Sequence, residues 1–373
     1  MARLAFLLLS SGLMLPAFAS SRVTVAELEQ RLAADRGKAD AGVAQQLSGL
    51  ELTERLSATS LARLEATSPG VKTSQELKIL MDESVFLPLP AGEVPVIAPP
   101  DTASQRQMMG LVVNYVSKTI HQLPNFYATR VTTQFEETPQ RQTTWSATPY
   151  LPLHATKSFA ITVLYRDGRE VVDAGKVEAR GPREEARGLR DWGVFGPILS
   201  TVVLDAARSS LTWSHWEQAG ASIQAVFRYA VPEANSHYRV NYCCLPRPDP
   251  ESGPSKPFDH IAGYHGEIAI DPQVGSILRL TVEADLRPID PVSTADIMVE
   301  YGAVEIGGKS YICATRSVAF STALSMSYFG SDFIFGGFVA PGPAQRLLND
   351  VVFEEYHVFR PEVRVFTGDG KPH

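Results

Sequence analysis

The sequence predicts an α+β protein: a small N-terminal helical module followed by a large curved antiparallel sheet, half-barrel-like, packed on one or more helices. Three observations predict it. Apolar residues recur at helical spacing from Val23 to about Leu87, five prolines interrupt the chain between 88 and 100, and beyond Asn125 the apolar period falls to two. The expected division is a signal peptide at 1–19, a helical module at 20–87, a Pro-rich linker at 88–100, and a helix with antiparallel β structure at 101–373.

A single positive charge, Arg3, precedes an apolar run from Leu4 to Phe18, and Ala17-Phe18-Ala19 has the small-x-small form of a signal-peptidase site. The expectation is export, to the periplasm or the medium. The run is too short to span a bilayer comfortably, so no transmembrane segment is expected in the mature chain. Formal net charge is -7 without charged blocks, and neutralising phosphates needs clustered Lys and Arg, so nucleic acid is disfavoured as a partner.

Within the module, Thr24 and Glu27 form a capping box ahead of Val25, Leu28 and Leu32 on one helix face. Further short helices are expected near 40–48, 53–66 and 74–86, with Asp40, Thr53 and Ser74 as N-caps and Leu47, Leu50, Leu56, Leu61 and Leu64 as an apolar seam. Pro88, Pro90, Pro95, Pro99 and Pro100 then remove amide donors and hold the backbone extended. Asp101 or Thr102 caps one more helix, and its stripe of Met108, Leu111, Val112, Tyr115, Val116, Thr119 and Ile120 needs a surface to cover.

The β region supplies that surface. Phe126, Ala128, Val131, Thr133 and Phe135 open it, and 158–165 with 169–173 form a hairpin across Arg166-Asp167-Gly168. A helix follows, starting beyond Pro197. Residues 211–217, 222–231 and 238–245 read as a meander, and 246–257 as a polar, Pro-rich loop. Two hairpins, 265–270 with 277–286 and 297–306 with 311–320, precede closing strands in 351–367. About ten strands joined by hairpins imply strong curvature, because a flat open sheet of that width is unusual.

The helix running directly into a strand (112–122, then Leu123-Pro124-Asn125-Phe126-Tyr127-Ala128-Thr129) and the paired segments GEIAIDPQVGSILRLTVEAD and ADIMVEYGAVEIGGKSYICATRSVAF resemble bacterial periplasmic lipoprotein carriers and the related lipoprotein-sorting group. The resemblance covers about residues 104–366. It implies an unclosed β barrel plugged by helices, with an interior that accepts acyl chains. The family has no sharp ligand signature, so no residue role transfers. The extra helices, the Pro-rich loop and the size depart from the simplest carriers.

Chemistry-bearing motifs are sparse. There is no G-x-S-x-G, H-E-x-x-H or glycine-rich phosphate loop, no catalytic residue stands out, and nothing requires a cofactor or a metal. Gly330-Ser331-Asp332 reads as a loop. The odd cysteine count, Cys243, Cys244 and Cys313, leaves one thiol over, and strand neighbours point to opposite faces. A bridge of Cys243 with Cys313, or Cys244 with Cys313, is expected, with an adjacent bridge or none as alternatives. His260 and His265 with Asp259 and Glu267 read as the edge of a hairpin, since residues five apart on a strand face opposite ways. Trp213 and His215 share a face if their strand is regular. Arg180, Arg183, Arg187 and Arg190 alternate with Glu184 and Glu185 and read as a solvated, salt-bridged segment.

The remaining signal is the apolar strand faces, with Tyr242, Ile268, Ile270, Leu278, Leu280 and Val282 as the expected lining of a ligand cavity. The resulting expectation is an exported, non-enzymatic envelope protein that binds an apolar or acyl ligand, or a lipoprotein partner, in the concave sheet. The alternatives are a structural or protein-interaction module with a filled core that contacts another envelope protein, and a secreted hydrolase without a recognisable motif.

Overall fold

The computed structural model of the chain describes residues 21–68, 70–119, 122–139, 141–142, 147–172, 188–190, 193–220, 222–245, 256–329 and 338–359. The leader segment and the Arg-rich residues 180–187 lie outside them, as do Gly330-Ser331-Asp332. The N-terminal module comprises β1 (Ser21–Val23), α1 (Val25–Ala34), α2 (Asp40–Leu47), β2 (Leu50–Leu52), α3 (Ala58–Glu65) and α4 (Val71–Glu83). Both halves of the capping box form, with Thr24 N donating to Glu27 Oε2 at 2.8 Å and Glu27 N to Thr24 Oγ1 at 3.2 Å. Val25, Leu28 and Leu32 are buried with the leucine seam in one core.

The caps differ from expectation. Ser57, not Thr53, caps α3, because β2 occupies the chain up to Leu52 and pairs in parallel with β1. Gly70 precedes α4 without a side-chain cap, and Asp40 of α2 supplies one from across the module, accepting from Lys72 N at 3.0 Å and Thr73 N at 2.9 Å. A carboxylate there suits the positive end of the helix dipole.

Residues 88–100 run extended around a short 3-10 turn at Ala91–Glu93. They lead to α5 (Thr102–Thr119), capped by Asp101 as expected. The β domain then contains β3 (Phe126–Thr138), β4 (Arg141–Gln142), β5 (Ala147–Thr148), β6 (Leu151–Arg166), β7 (Arg169–Val172), β8 (Gly188–Leu189), α6 (Pro197–Ala207), β9 (Ser210–Ala219) and β10 (Ser222–Val231). It continues with β11 (Arg239–Leu245), β12 (Lys256–Ile261), β13 (Gly263–Ile270), β14 (Ile277–Asp285), β15 (Val292–Ile306), β16 (Lys309–Phe329) and β17 (Phe338–Val358). Ten strands form one unclosed antiparallel sheet in the order β7-β6-β3-β17-β16-β15-β14-β13-β10-β9.

Three sequence expectations change here. β11 leaves the meander for a separate sheet, β12-β11-β8, so β10 pairs with β13 instead. The end of the expected Pro-rich loop is strand β12, while 246–255 lie outside the described residues. β17 begins well before 351 despite Pro341 and Pro343, because it pairs with β16 from Phe338 while β3 pairs with it only from Leu347, so the prolines sit where the ladder runs on one side, with a register shift near Pro341.

The sheet is covered on both faces. On the inner face, Met108, Val112 and Val116 of α5 and Ile198, Leu199, Val202 and Val203 of α6 join the strands in one continuous core. Gly266 permits a close crossing there. A Cβ at this position would lie 2.1 Å from Thr281 O, and Tyr229 Oη passes over it to donate to that same carbonyl at 2.6 Å.

On the outer face, Ile79, Val85 and Phe86 of the helical module pack on Met298, Val318, Leu348, Leu153, Phe135 and Phe320. Three ionic anchors flank this contact. Arg55 pairs with Glu217 at 2.6 Å, and Glu217 also receives Arg279 at 2.8 Å. Asp82 pairs with Arg316, which also holds Asp350 at 3.0 Å. Glu83 meets Arg346 at 3.0 Å, and Arg346 holds Glu137 at 3.0 Å.

Replacing Arg316 with Ala strands Asp82, which is 2% exposed, against Asp350. Breaking a buried pair from one side costs about 3–5 kcal/mol, and equilibrium urea unfolding reads that loss directly.

Burial pushes the carboxyls of Asp82 and Glu83 up, with Arg316 and Arg346 opposing it; Asp296, which has no such cation, is pushed by burial up to about 8. Asp296 holds a proton in the folded chain that the unfolded chain loses from about pH 4, so its contribution to stability falls as pH rises toward 8. Asp290 has the opposite sign. Its bond from Arg287 lowers its carboxyl, and that contribution disappears as pH falls through the folded value. Melting temperature measured against pH is expected to peak near about pH 4, where the Asp290 contribution is complete and the loss at Asp296 begins, and to decline through neutrality; a curve still rising from pH 6 to 8 contradicts this assignment.

Candidate functional site

The inner face divides along the order of the strands. On β15, β14, β13 and β10 it is mainly apolar: Ile297 and Val299, Leu280 and Val282, Ile268 and Ile270, and Ala225 and Phe227, with Tyr301, Tyr264 and Tyr229 as hydroxyl-bearing members. On β3, β17 and β16 the inward positions alternate differently. Phe126 and Ala128 are followed by Arg130, Thr132 and Gln134, and these face Phe353, Val351 and Asn349, with Ser317 and Ser321 one strand further on.

All of these polar side chains are buried. Gln134 Nε2 donates to Asn349 Oδ1 at 3.0 Å, Arg130 lies 6.0 Å from the centroid of the Phe353 ring, and Ser321 Oγ donates to Leu347 O at 3.5 Å. Gly188 of β8 lies over this patch; a Cβ there would sit 3.5 Å from Asn349 and 3.6 Å from Ser321.

An aromatic cluster lies where β3, β6 and β17 meet. Phe126, Tyr165, Phe195, Phe353 and Tyr356 form one aromatic cluster, with Phe126 and Tyr165 stacked at 5.0 Å and Phe195 edge-on to Phe353 at 5.0 Å. Tyr301 donates to Val194 O at 3.0 Å. Burial raises the phenols of Tyr301, Tyr165 and Tyr356, and pushes that of Tyr115 up to about 12. At the sheet's end, Asp205 of α6 is 2% exposed and accepts from Tyr264 Oη at 2.9 Å, His237 N at 2.9 Å and His237 Nδ1 at 2.7 Å. Those bonds fix α6 to the strands.

Five of the six residues expected to line a ligand cavity are core residues. Ile268, Ile270, Leu280 and Val282 are fully buried on the inner face, and Tyr242 joins the same core from β11. Leu278 does not. A register shift pairs Ile270 with Ile277 and Ala269 with Arg279, which leaves Leu278 at the bulge and gives the inward position to Ile277. A second bulge separates Trp213 from His215: Trp213 pairs with Phe227 and His215 with Val226. Trp213 therefore lies edge-on to Trp216 at 4.8 Å, while His215 turns toward Glu217 at 3.6 Å.

His260 and His265 part company because the chain changes sheets at Ala262, from β12 to β13. His265 instead meets Asp285 at 2.9 Å. Among the described residues no group of three or more His, Cys, Asp and Glu could hold a metal ion.

The cysteine expectation is corrected. Cys243 is bridged to Cys244, and Cys313 is a buried free thiol. Cys243 pairs with Gly188, which lies over Ser321 of β16. Cys313 lies eight residues along that strand, roughly 26 Å away at about 3.3 Å per residue, beyond the reach of a disulfide. Sequence reasoning missed the polar patch as well. Its signal was the run Arg130-Val131-Thr132-Thr133-Gln134, in which the polar row continues the register of Phe126 and Ala128.

No protein-family model matches the chain, and searches of characterised proteins and of solved structures return no significant match.

Burial pushes the thiol of Cys313 up to about 12, so it stays protonated and shielded. Titration with a thiol reagent is expected to find no reactive cysteine in the native protein and one per chain in guanidinium without reductant, mapping to Cys313. A peptide map linking Cys313 to either neighbour reverses the assignment.

Proposed function

We propose that this chain is an exported, non-enzymatic envelope protein that binds the apolar chain of a lipid or lipoprotein on the inner face of its sheet, with α5 as the element that gives way. The observation behind this reading is the division of that face into an apolar trough and a buried polar patch. An acyl chain with a polar head matches that division. The sequence resemblance to periplasmic lipoprotein carriers and the leader-like residues 1–19 favour the same reading.

The energetics of exchange are near balance. Among the described side chains of α5, the buried hydrophobic ones are Met108, Val112 and Val116, and burying three such side chains is worth roughly 5–9 kcal/mol. About ten methylenes at about 0.8 kcal/mol each return roughly 8 kcal/mol, so a medium-length acyl chain replaces what α5 loses. The seat of α5 is also tight at one point, since a Cβ on Gly275 would lie 2.5 Å from the Leu111 carbonyl carbon.

A second reading, an interaction module with a filled core, is favoured by the complete burial of Ile268, Ile270, Leu280 and Val282. One experiment separates the two. Native mass spectrometry after gentle extraction is expected to show co-purifying lipid, and the delipidated protein to take up a fluorescent fatty acid. Gly275→Ala, which pushes against α5, is expected to speed that uptake several-fold. A lipid-free mass with no uptake by either form removes the carrier reading and leaves the filled core.

A further inference from the structure

In the small sheet over the inner face, β11 pairs with β12 residue by residue from Arg239 opposite Ile261 to Tyr242 opposite Phe258, and the next pair is Leu245 opposite Lys256. Cys243 and Cys244 therefore stand together against Pro257 alone, two residues against one, which is a bulge. Their bridge lies inside it. Pro257 has no N–H, so it offers the ladder no donor at this point. A regular strand sends neighbouring side chains to opposite faces, and two adjacent sulfurs meet only where that alternation is broken. The break changes which side chains face inward. Val240 and Tyr242 belong to the inner core, and unbroken alternation would turn Cys244 inward next and Leu245 outward; with the bulge, Leu245 packs against that core instead.

Cys243 also pairs with Gly188 of β8, which lies over Asn349 and Ser321. The bulge and the cover of the polar patch are thus one joint. We propose that the Cys243–Cys244 bridge is a redox switch: reduction by a dithiol removes the cause of the bulge, β11 returns to alternation with Cys244 inward and Leu245 outward, and β8 loosens over the polar patch. Nothing in this depends on what the inner face binds. Cys243 is 8% exposed and Cys244 is half-buried, so a thiolate of the reductant reaches Cys244 Sγ first. A mixed disulfide forms as the S–S bond breaks, and Cys243 leaves as a thiolate that takes a proton. The second thiolate of the reductant then attacks its own sulfur in that mixed disulfide, and Cys244 leaves in the same way. The pair gains two electrons and two protons, and the dithiol becomes a disulfide.

The test compares the full oxidised chain with the same chain held in excess dithiothreitol, by alkylation mapping and by hydrogen exchange. Alkylation of the native reduced protein is expected at Cys243 and Cys244 and not at Cys313. Backbone amides of 188–190 and 242–245 are expected to exchange roughly tenfold faster after reduction, while those of α5, α6 and the ten-stranded sheet stay unchanged. The double variant Cys243→Ser, Cys244→Ser is expected to exchange like the reduced chain whether or not reductant is present. A bridge between neighbours closes so short a loop that it constrains the unfolded chain little, so the variant keeps the fold. A bridge that excess dithiothreitol leaves intact in the folded protein, unchanged exchange at 242–245 after reduction, or a folded double variant with the slow exchange of the oxidised chain overturns the inference.

Discussion

An open ten-stranded sheet with apolar side chains on both faces has to be covered twice, and most of this architecture follows from how that is done. The inner face receives α5, α6 and the small sheet of β8, β11 and β12. The outer face receives the N-terminal module through a smaller apolar patch ringed by ion pairs. The two contacts differ in kind. Apolar burial sets the strength of both, because buried ion pairs lose to desolvation much of what they gain by attraction. What the anchors add is placement: sliding the module across the sheet leaves Asp82 or Arg55 buried without its partner, a cost that grows with each misplaced charge.

Legibility in the sequence followed the physics of each element. Local signals were readable: the capping box at Thr24 and Glu27, Asp101 ahead of α5, the Arg166-Asp167-Gly168 hairpin, and the strict alternation of β15, whose Ile297, Val299 and Tyr301 face inward while Met298 faces the helical module. Long-range pairing was not. The departure of β11 to another sheet, the early start of β17 and the parallel β1–β2 pair depend on which strands meet, and nothing local encodes that. Bulges caused the sharpest errors, since the extra residue at Ser214 puts Trp213 and His215 out of step, and the one at Leu278 gives its expected inward place to Ile277. The alternating polar row of β3 was visible as letters but unreadable as a buried surface until Asn349 and Gly188 were placed against it.

The interior is asymmetric in a way composition hides. Polar groups gather under the strands nearest β3, where Gln134 donates to Asn349, and the other half is mainly hydrocarbon and aromatic. Its buried hydroxyls reach backbone carbonyls, as Tyr301 does at Val194 and Tyr229 at Thr281. Packing on such a face is selective about where polarity sits, because any unmatched polar atom in the apolar half costs about 1–3 kcal/mol.

The proline-rich stretch has a mechanical role that neither cover reveals alone. It leaves the outer side with Arg55 N donating to Pro88 O at 2.8 Å and Ser60 Oγ to Glu93 Oε1 at 2.5 Å, passes the last strand of the sheet, and reaches the inner side where the Trp216 indole donates to Ala98 O at 3.0 Å. Extended, these residues span roughly 40 Å at about 3.1 Å each, with little slack from glycine. They act as a stiff strap buckled at both ends around an exposed strand edge that would otherwise be open to pairing with another chain. A helix tied in this way stays near the face it covers, because the tether holds it there at high effective concentration.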